Sequence, residues 1–299
     1  MRRWPRRSGP RSTSCSRADV VALLPHLPAH GKLPFVSSHI AVLASGAGSN
    51  LGAILAHLAA HASRDRQDTE GRDRHEPEEG ARSGDGVRRR ERLADRGAGP
   101  ATAAPGTVAL VASNRRDAGA LRIAREAGIA TAVIDQPADG AAWLSLLSAH
   151  RIDLVALAGY LKRVPDVVTR AFRGRVLNVH PALLPAFGGA GMYGLRVHAA
   201  VLEAGVALSG ATVHFVDEQF DHGPIIAQWP VPVLADDRPE ALAARVLRVE
   251  HALYPCVVAA VAAGRIHLDA DGRVRGRWPH AAPGTHFTLT TEEAPPPCP

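Results

Sequence analysis

Short apolar runs alternate along the chain with longer stretches in which apolar residues recur every three or four positions. Runs near 39–44, 107–112, 131–134, 153–157 and 175–179 read as strands, and the stretches 50–60, 117–127, 139–149 and 165–172 between them read as helices. Leu51, Ile54, Leu55 and Leu58 illustrate the helical spacing. Strand and helix in strict alternation predict right-handed crossovers. The expected fold class is therefore α/β, a doubly wound, mostly parallel sheet with ligands outside the carboxyl ends of its strands. Two further strands, near 208–216 and 224–233, predict an antiparallel hairpin towards the C-terminal part, and a helix near 239–262 closes the domain.

Two stretches lack this patterning. Residues 1–38 form an N-terminal extension, and 62–104 form an insertion rich in Arg, Asp, Glu and Gly with almost no large apolar residue. Mixed charge without hydrophobic periodicity cannot bury enough surface to offset ordering entropy, so both are expected to be disordered. Lengthening a surface loop costs closure entropy only logarithmically, so one domain over 39–280 can carry the insertion, with 281–299 as a tail. The chain has 299 residues, and the formal net charge is +6. Arg2, Arg3, Arg6, Arg7, Arg11, Arg17 and Lys32 against Asp19 account for all of that charge before His39. The body is therefore neutral, which argues against a nucleic-acid surface. Val20 to Leu24 is too short an apolar core for a secretory signal, and no run approaches the ~20 apolar residues of a membrane span. The next methionine after Met1 is Met192, so a later start would need a non-standard codon, as at Val20 or Val36. Cys15, Cys256 and Cys298 fit neither a disulfide framework nor a metal cluster; they point to a reducing cytoplasm, with Cys256 a buried core residue.

Three segments carry candidate chemistry. Asn178 and His180 lie two apart in the run Val176 to Pro185, so on a strand they share a face. A carboxamide can donate to a developing oxyanion, and an imidazole can move a proton near neutral pH, a pairing suited to acyl transfer. The plain structural reading is a satisfied polar pair at a strand end. Ser45-Gly46-Ala47-Gly48-Ser49-Asn50 follows the first strand and opens the first helix, where backbone N–H groups and the positive helix end suit a phosphate. The third glycine of a dinucleotide fingerprint is absent, as is the Gly-Lys-Ser/Thr of a P-loop. A strand-to-helix turn without a ligand uses glycine in the same way. The third segment, Phe215 to Pro224, offers Asp221 in a Gly-Pro turn between two strands. His198 and His214 lack a ligand set around them and read as cleft or structural histidines, so no metal is expected.

Taken in order, Ala41 to Leu51, Val111 to Arg115, Ala156 to Leu161, Asn178 to Pro185, Gly188 to Gly194, Asp221 to Ile226 and Glu250 to Pro255 resemble the phosphoribosylglycinamide formyltransferases. These are folate-dependent enzymes of purine biosynthesis with a Rossmann-like formyltransferase fold. The resemblance implies transfer of a formyl group from 10-formyltetrahydrofolate, the co-substrate, to the amine of glycinamide ribonucleotide. It assigns the formyl oxygen to Asn178, the proton to His180, and the orienting charge to Asp221. Gly48, Ser49 and Asn50 are expected to cradle the 5′-phosphate and Glu250 to bond the ribose hydroxyls. Leu161, Lys162, Arg163 and Val164, with the loop before Asp221, are expected to line the pterin slot. Small molecules are the expected partners, without nucleic acid or membrane, for a cytoplasmic monomer or homodimer. Two departures are Ala190, where Lys is common, and Lys162, where Arg is common. Two other functions share parts of the pattern. Formyltetrahydrofolate hydrolysis uses a similar Asn/His/Asp set but predicts a regulatory N-terminal domain and no phosphate turn. A catalytically silent nucleotide-binding regulator would not need all three residues.

Overall fold

The computed structural model describes residues 38–72 and 106–276. The N-terminal extension, most of the predicted insertion and the C-terminal tail lie outside the described residues. Parallel strands β1 (His39–Leu43), β2 (Thr107–Ser113), β3 (Ala130–Val133), β4 (Leu154–Leu157) and β5 (Val176–His180) alternate with helices α1 (Ser49–Arg72), α2 (Gly119–Glu126), α3 (Gly140–Ala149) and α4 (Asp166–Ala171). Helix α5 (Leu195–Glu203) then leads to the hairpin β6 (Leu208–Phe215) and β7 (Ile225–Pro232), and α6 (Pro239–Ala262) packs back over the sheet. The seven-stranded order is β3-β2-β1-β4-β5-β6-β7; β6 runs antiparallel to both its neighbours, β5 and β7, and is the one reversed strand of this sheet. A separate two-stranded sheet joins β8 (Ile266–Leu268) to β9 (Val274–Gly276).

The central strands β1 and β4 are almost wholly apolar because both faces of the sheet are covered there. One face buries Val42, Ala156, Leu177 and Val213 beneath α1 and α6, including Leu51, Val257 and Val258. The other buries Ala41, Leu43, Val155 and Val176 beneath α3 and α4, with Trp143 and Phe172 as the large fillers. Tyr254, fully buried on α6, ties that helix to the sheet by donating to the carbonyls of Leu157 and Leu177 at 3.0 and 3.3 Å. Strand β1 lies between β2 and β4, where the chain reverses its winding direction. Such a reversal opens a crevice at the carboxyl ends, and the residues after β1, β4 and β5 converge there.

Four expectations change. Helix α1 runs to Arg72 rather than ending near 60, so the first part of the predicted insertion is helical. Good helix formers such as Arg, Gln and Glu in that stretch continue the turn without needing an apolar stripe. Helix α5 and the β8–β9 pair were not expected. Cys256 is buried in the core as expected, but it is disulfide-bonded rather than a free thiol. Among the described residues, no helix is long and apolar enough to cross a membrane.

Candidate active site

A cavity of about 480 Å³ opens at the carboxyl edge of the sheet, and Asn178, His180 and Asp221 all line it. Asn178 and His180 sit at the end of β5. Asp221 arrives on the β6–β7 turn with φ of 55°, a left-handed conformation that Asp and Asn tolerate better than most residues. The turn is tight: a side chain at Gly223 would run into the Phe215 carbonyl. Asp221 Oδ2 is 3.4 Å from His180 Nδ1 and accepts the Gly189 amide at 3.0 Å. Asp221 Oδ1 accepts a long hydrogen bond of 3.4 Å from Asn178 Nδ2.

His214 joins these three, although the sequence reading took it for a cleft or structural histidine. Antiparallel pairing sets it directly opposite Asn178. Its Nδ1 lies 2.8 Å from the Phe215 carbonyl, which can only accept, so Nδ1 carries a proton. Its Nε2 lies 3.2 Å from Asn178 Nδ2 and 3.7 Å from Asp221 Oδ1. The carboxamide of Asn178 is thus held with its N–H groups towards Asp221 and His214.

His180 is 3% exposed. Its Nε2 lies 2.8 Å from the Phe187 carbonyl and so donates to it, leaving Nδ1 facing the Asp221 carboxylate. Burial pushes the imidazole below its ordinary value, and Asp221 and the Phe187 carbonyl offset this only in part. Burial also works against the Asp221 carboxylate. There the neighbouring His214, the charge of His180 and the Gly189 amide prevail, holding the carboxyl below the usual range. The pair is therefore uneven: the carboxylate is charged, while the buried imidazole favours its neutral form near pH 7. Burial outweighs the charge of Asp221 at the imidazole, so the ring is set to take up a proton.

The glycine turn adjoins this cavity. Gly48, at φ of 87°, packs so closely on α2 that an added Cβ would meet Ala120 Cα at 2.7 Å. The exposed Ser49 begins α1, where first-turn amides have no intrahelical acceptor. Asn50 is buried and lines the cavity; its Nδ2 donates to Glu250 Oε2 at 2.7 Å, joining the turn to α6 across 200 residues. Burial raises the Glu250 carboxyl to about 7, against the opposing hydrogen bond from Asn50. On the other side, Leu161, Lys162, Arg163 and Val164 form one wall and Asp217 to Phe220 another. Arg163 bridges the two, donating to Glu218 O at 2.8 Å and to Asp166 Oδ1 at 2.5 Å. Met192, Tyr193, Leu195 and His198, from the glycine-rich loop and α5, complete the rim. Among the described residues no cluster of His, Cys, Asp and Glu has the makings of a metal site.

Glu250 gives a stability signature. Its folded-state value lies above 4.5, so the stabilisation from proton uptake is complete below pH 4.5 and is lost as pH rises through about 7. Glu250→Gln, which never ionises, should match the wild type near pH 4 and be more stable by roughly 3 kcal/mol at pH 8, since each pKa unit is worth about 1.4 kcal/mol. Denaturant unfolding at the two pH values measures this; a gap that does not widen between them would place the carboxyl outside the buried environment described.

A family model for formyl transferase matches residues 94–258. Phosphoribosylglycinamide formyltransferase of Escherichia coli is 40% identical over 172 residues, covering 56% of this chain and 79% of that protein. The chloroplastic enzyme of the same name from Arabidopsis thaliana is 48% identical over 174 residues, covering 56% of this chain but only 60% of the plant protein. The chain thus spans less than two thirds of its plant relative. The crystal structure of phosphoribosylglycinamide formyltransferase from Anaplasma phagocytophilum superposes with a TM-score of 0.62 at 30% identity, covering 82% of this chain and 97% of that one.

Proposed function

The chain belongs to the formyl transferase family, and from that premise we propose that it transfers the formyl group of 10-formyltetrahydrofolate to the amine of glycinamide ribonucleotide, a step of purine biosynthesis. The observation that carries this reading is the meeting of a buried imidazole, a charged carboxylate and an oriented carboxamide on the wall of one cavity that also reaches Asn50 and Glu250. An Asn/His/Asp set alone also suits hydrolysis. The adjoining helix-start turn, which has amides to offer a phosphate, favours a ribonucleotide acceptor over water.

In the proposed reaction the amine attacks the formyl carbon, and negative charge grows on the formyl oxygen. Asn178 Nδ2 stabilises that oxygen by exchanging its long contact with Asp221 for a shorter one. The amine must also lose a proton, and His180 takes it, directly or through water. The resulting imidazolium is supported by Asp221 at Nδ1. Transfer of that proton to the pterin nitrogen lets tetrahydrofolate leave. His180 Nε2 already carries the proton donated to Phe187 O, so the nitrogen that takes up the amine proton is Nδ1, beside Asp221 Oδ2. Gly48, Ser49 and Asn50 hold the phosphate, and Glu250 accepts from the ribose hydroxyls. Leu161, Lys162 and Val164 contact the pterin donor, while Arg163, engaged with Asp166 and Glu218, braces that wall.

The test is tetrahydrofolate release from 10-formyltetrahydrofolate, followed by absorbance with and without glycinamide ribonucleotide. Release that depends on the ribonucleotide is expected. Equal release in its absence would assign the site to hydrolysis instead.

A further inference from the structure

We infer that Ser45, although it stands in the glycine turn assigned to the ribonucleotide phosphate, is a positioning residue for the formyl donor. The inference rests on the formyl-transfer reading of the cavity. A serine hydroxyl in such a turn is ordinarily expected to face the phosphate. Here it is buried and engaged within the protein: Ser45 is 3% exposed, and its single hydroxyl proton is donated to Asn114 Oδ1 at 2.6 Å. The same oxygen accepts the amide of Leu161 at 3.0 Å. The Ser45 amide also donates to the Gly159 carbonyl at 3.0 Å.

Three strand ends therefore meet on one side chain. Ser45 follows β1, Asn114 follows β2, and the Gly159–Leu161 segment follows β4. Asn114 lies in a turn that the Arg115 amide closes onto Ser113 Oγ at 3.0 Å. That turn fixes the direction in which the Ser45 hydroxyl points, leaving its lone pair for Leu161. Ser45 thus grips the start of the pterin wall at two points, residues 159 and 161. Leu161 is 53% exposed on the cavity rim, and among the described residues its amide has this one bond to set its height above the sheet. With its proton committed and its oxygen buried, the hydroxyl has nothing to offer a phosphate. Its effect passes through the Leu161 peptide to the donor pocket.

The test is Ser45→Ala in the full-length chain, with both substrates varied in steady state and amide exchange measured at Leu161. The KM for 10-formyltetrahydrofolate should rise about three- to tenfold, the scale of one lost intramolecular hydrogen bond. The KM for the ribonucleotide should stay within about twofold, and the Leu161 amide should exchange faster. Ser45→Thr, which keeps the hydroxyl, should restore the donor KM. Asn114→Ala should act on the same substrate more weakly, since Ser45 Oγ can still accept from Leu161; it carries the test should Ser45→Ala not fold. A rise confined to the ribonucleotide KM, or none in either, overturns the inference. A wild-type chain without transfer activity refutes the formyl-transfer reading instead. Amide exchange then still decides the positioning role, which fails if Leu161 protection is unchanged in Ser45→Ala.

Discussion

Asp221→Asn is expected to lower the turnover number by roughly two or more orders of magnitude, the usual scale for removing general acid-base support, while leaving fold and donor binding intact. The fold should survive because Asn tolerates the positive φ at 221 and can still accept the Gly189 amide. What is lost is charge. His180 is buried and already disfavours protonation, and Asp221 is the anion offsetting that cost at 3.4 Å. Without it, proton uptake from the attacking amine creates an uncompensated buried cation. Removing His180 in the same background should therefore cost little further, since groups acting as one unit are not additive. A double-mutant cycle on turnover number, with donor binding measured separately, checks this; fully additive losses would show that the two residues act independently.

Gly48→Val should raise the KM for the ribonucleotide by roughly one to two orders of magnitude and leave the donor KM nearly unchanged. Two physical costs combine at this position. A β-branched residue at φ of 87° is strained, and its Cβ would press on Ala120 Cα, so the turn and the start of α2 must separate. The amides of the turn then lose their common focus on the phosphate. A loss of about 2 kcal/mol or more in stability should accompany the change, because the contact is with main chain rather than a flexible side chain. Steady-state kinetics with each substrate varied gives the answer, and equal effects on both would contradict the placement of the phosphate at this turn.

The parallel half of the fold was legible in the sequence because its strands are buried on both faces and leave unbroken apolar runs. The runs read at 39–44, 153–157 and 175–179 lie within a residue or so of β1, β4 and β5. The hairpin showed instead as two stretches flanking the Gly-Pro turn at 223–224; β6 is buried, but β7, at the edge of the sheet, is mostly half-buried. Helix α5 was not: it follows a glycine-rich loop, and its nine residues bury only Val197, His198 and Val201. Strands β8 and β9, three residues each, are too short to show a period.

At the cavity, Asn178 and His180 could be paired from their spacing alone, since a strand repeats every two residues. Bringing Asp221 to them required the family resemblance, because a turn residue has no periodicity to place it. His214 was missed as a partner of Asn178 because their contact depends on the register of β5 against β6, set by tertiary packing rather than by any local signal. The Asn50–Glu250 bond is of the same kind. Both residues were assigned to one nucleotide, but the burial that raises Glu250 becomes visible only when α6 is laid over the glycine turn.

The most direct test of the account is the fate of the formyl carbon. With 10-formyltetrahydrofolate labelled in the formyl group, saturating glycinamide ribonucleotide and wild-type protein, the label should appear in the formylated ribonucleotide, one for each tetrahydrofolate released, with negligible free formate. Label recovered chiefly as formate, at a rate indifferent to the ribonucleotide, would contradict amine transfer and identify water as the acceptor.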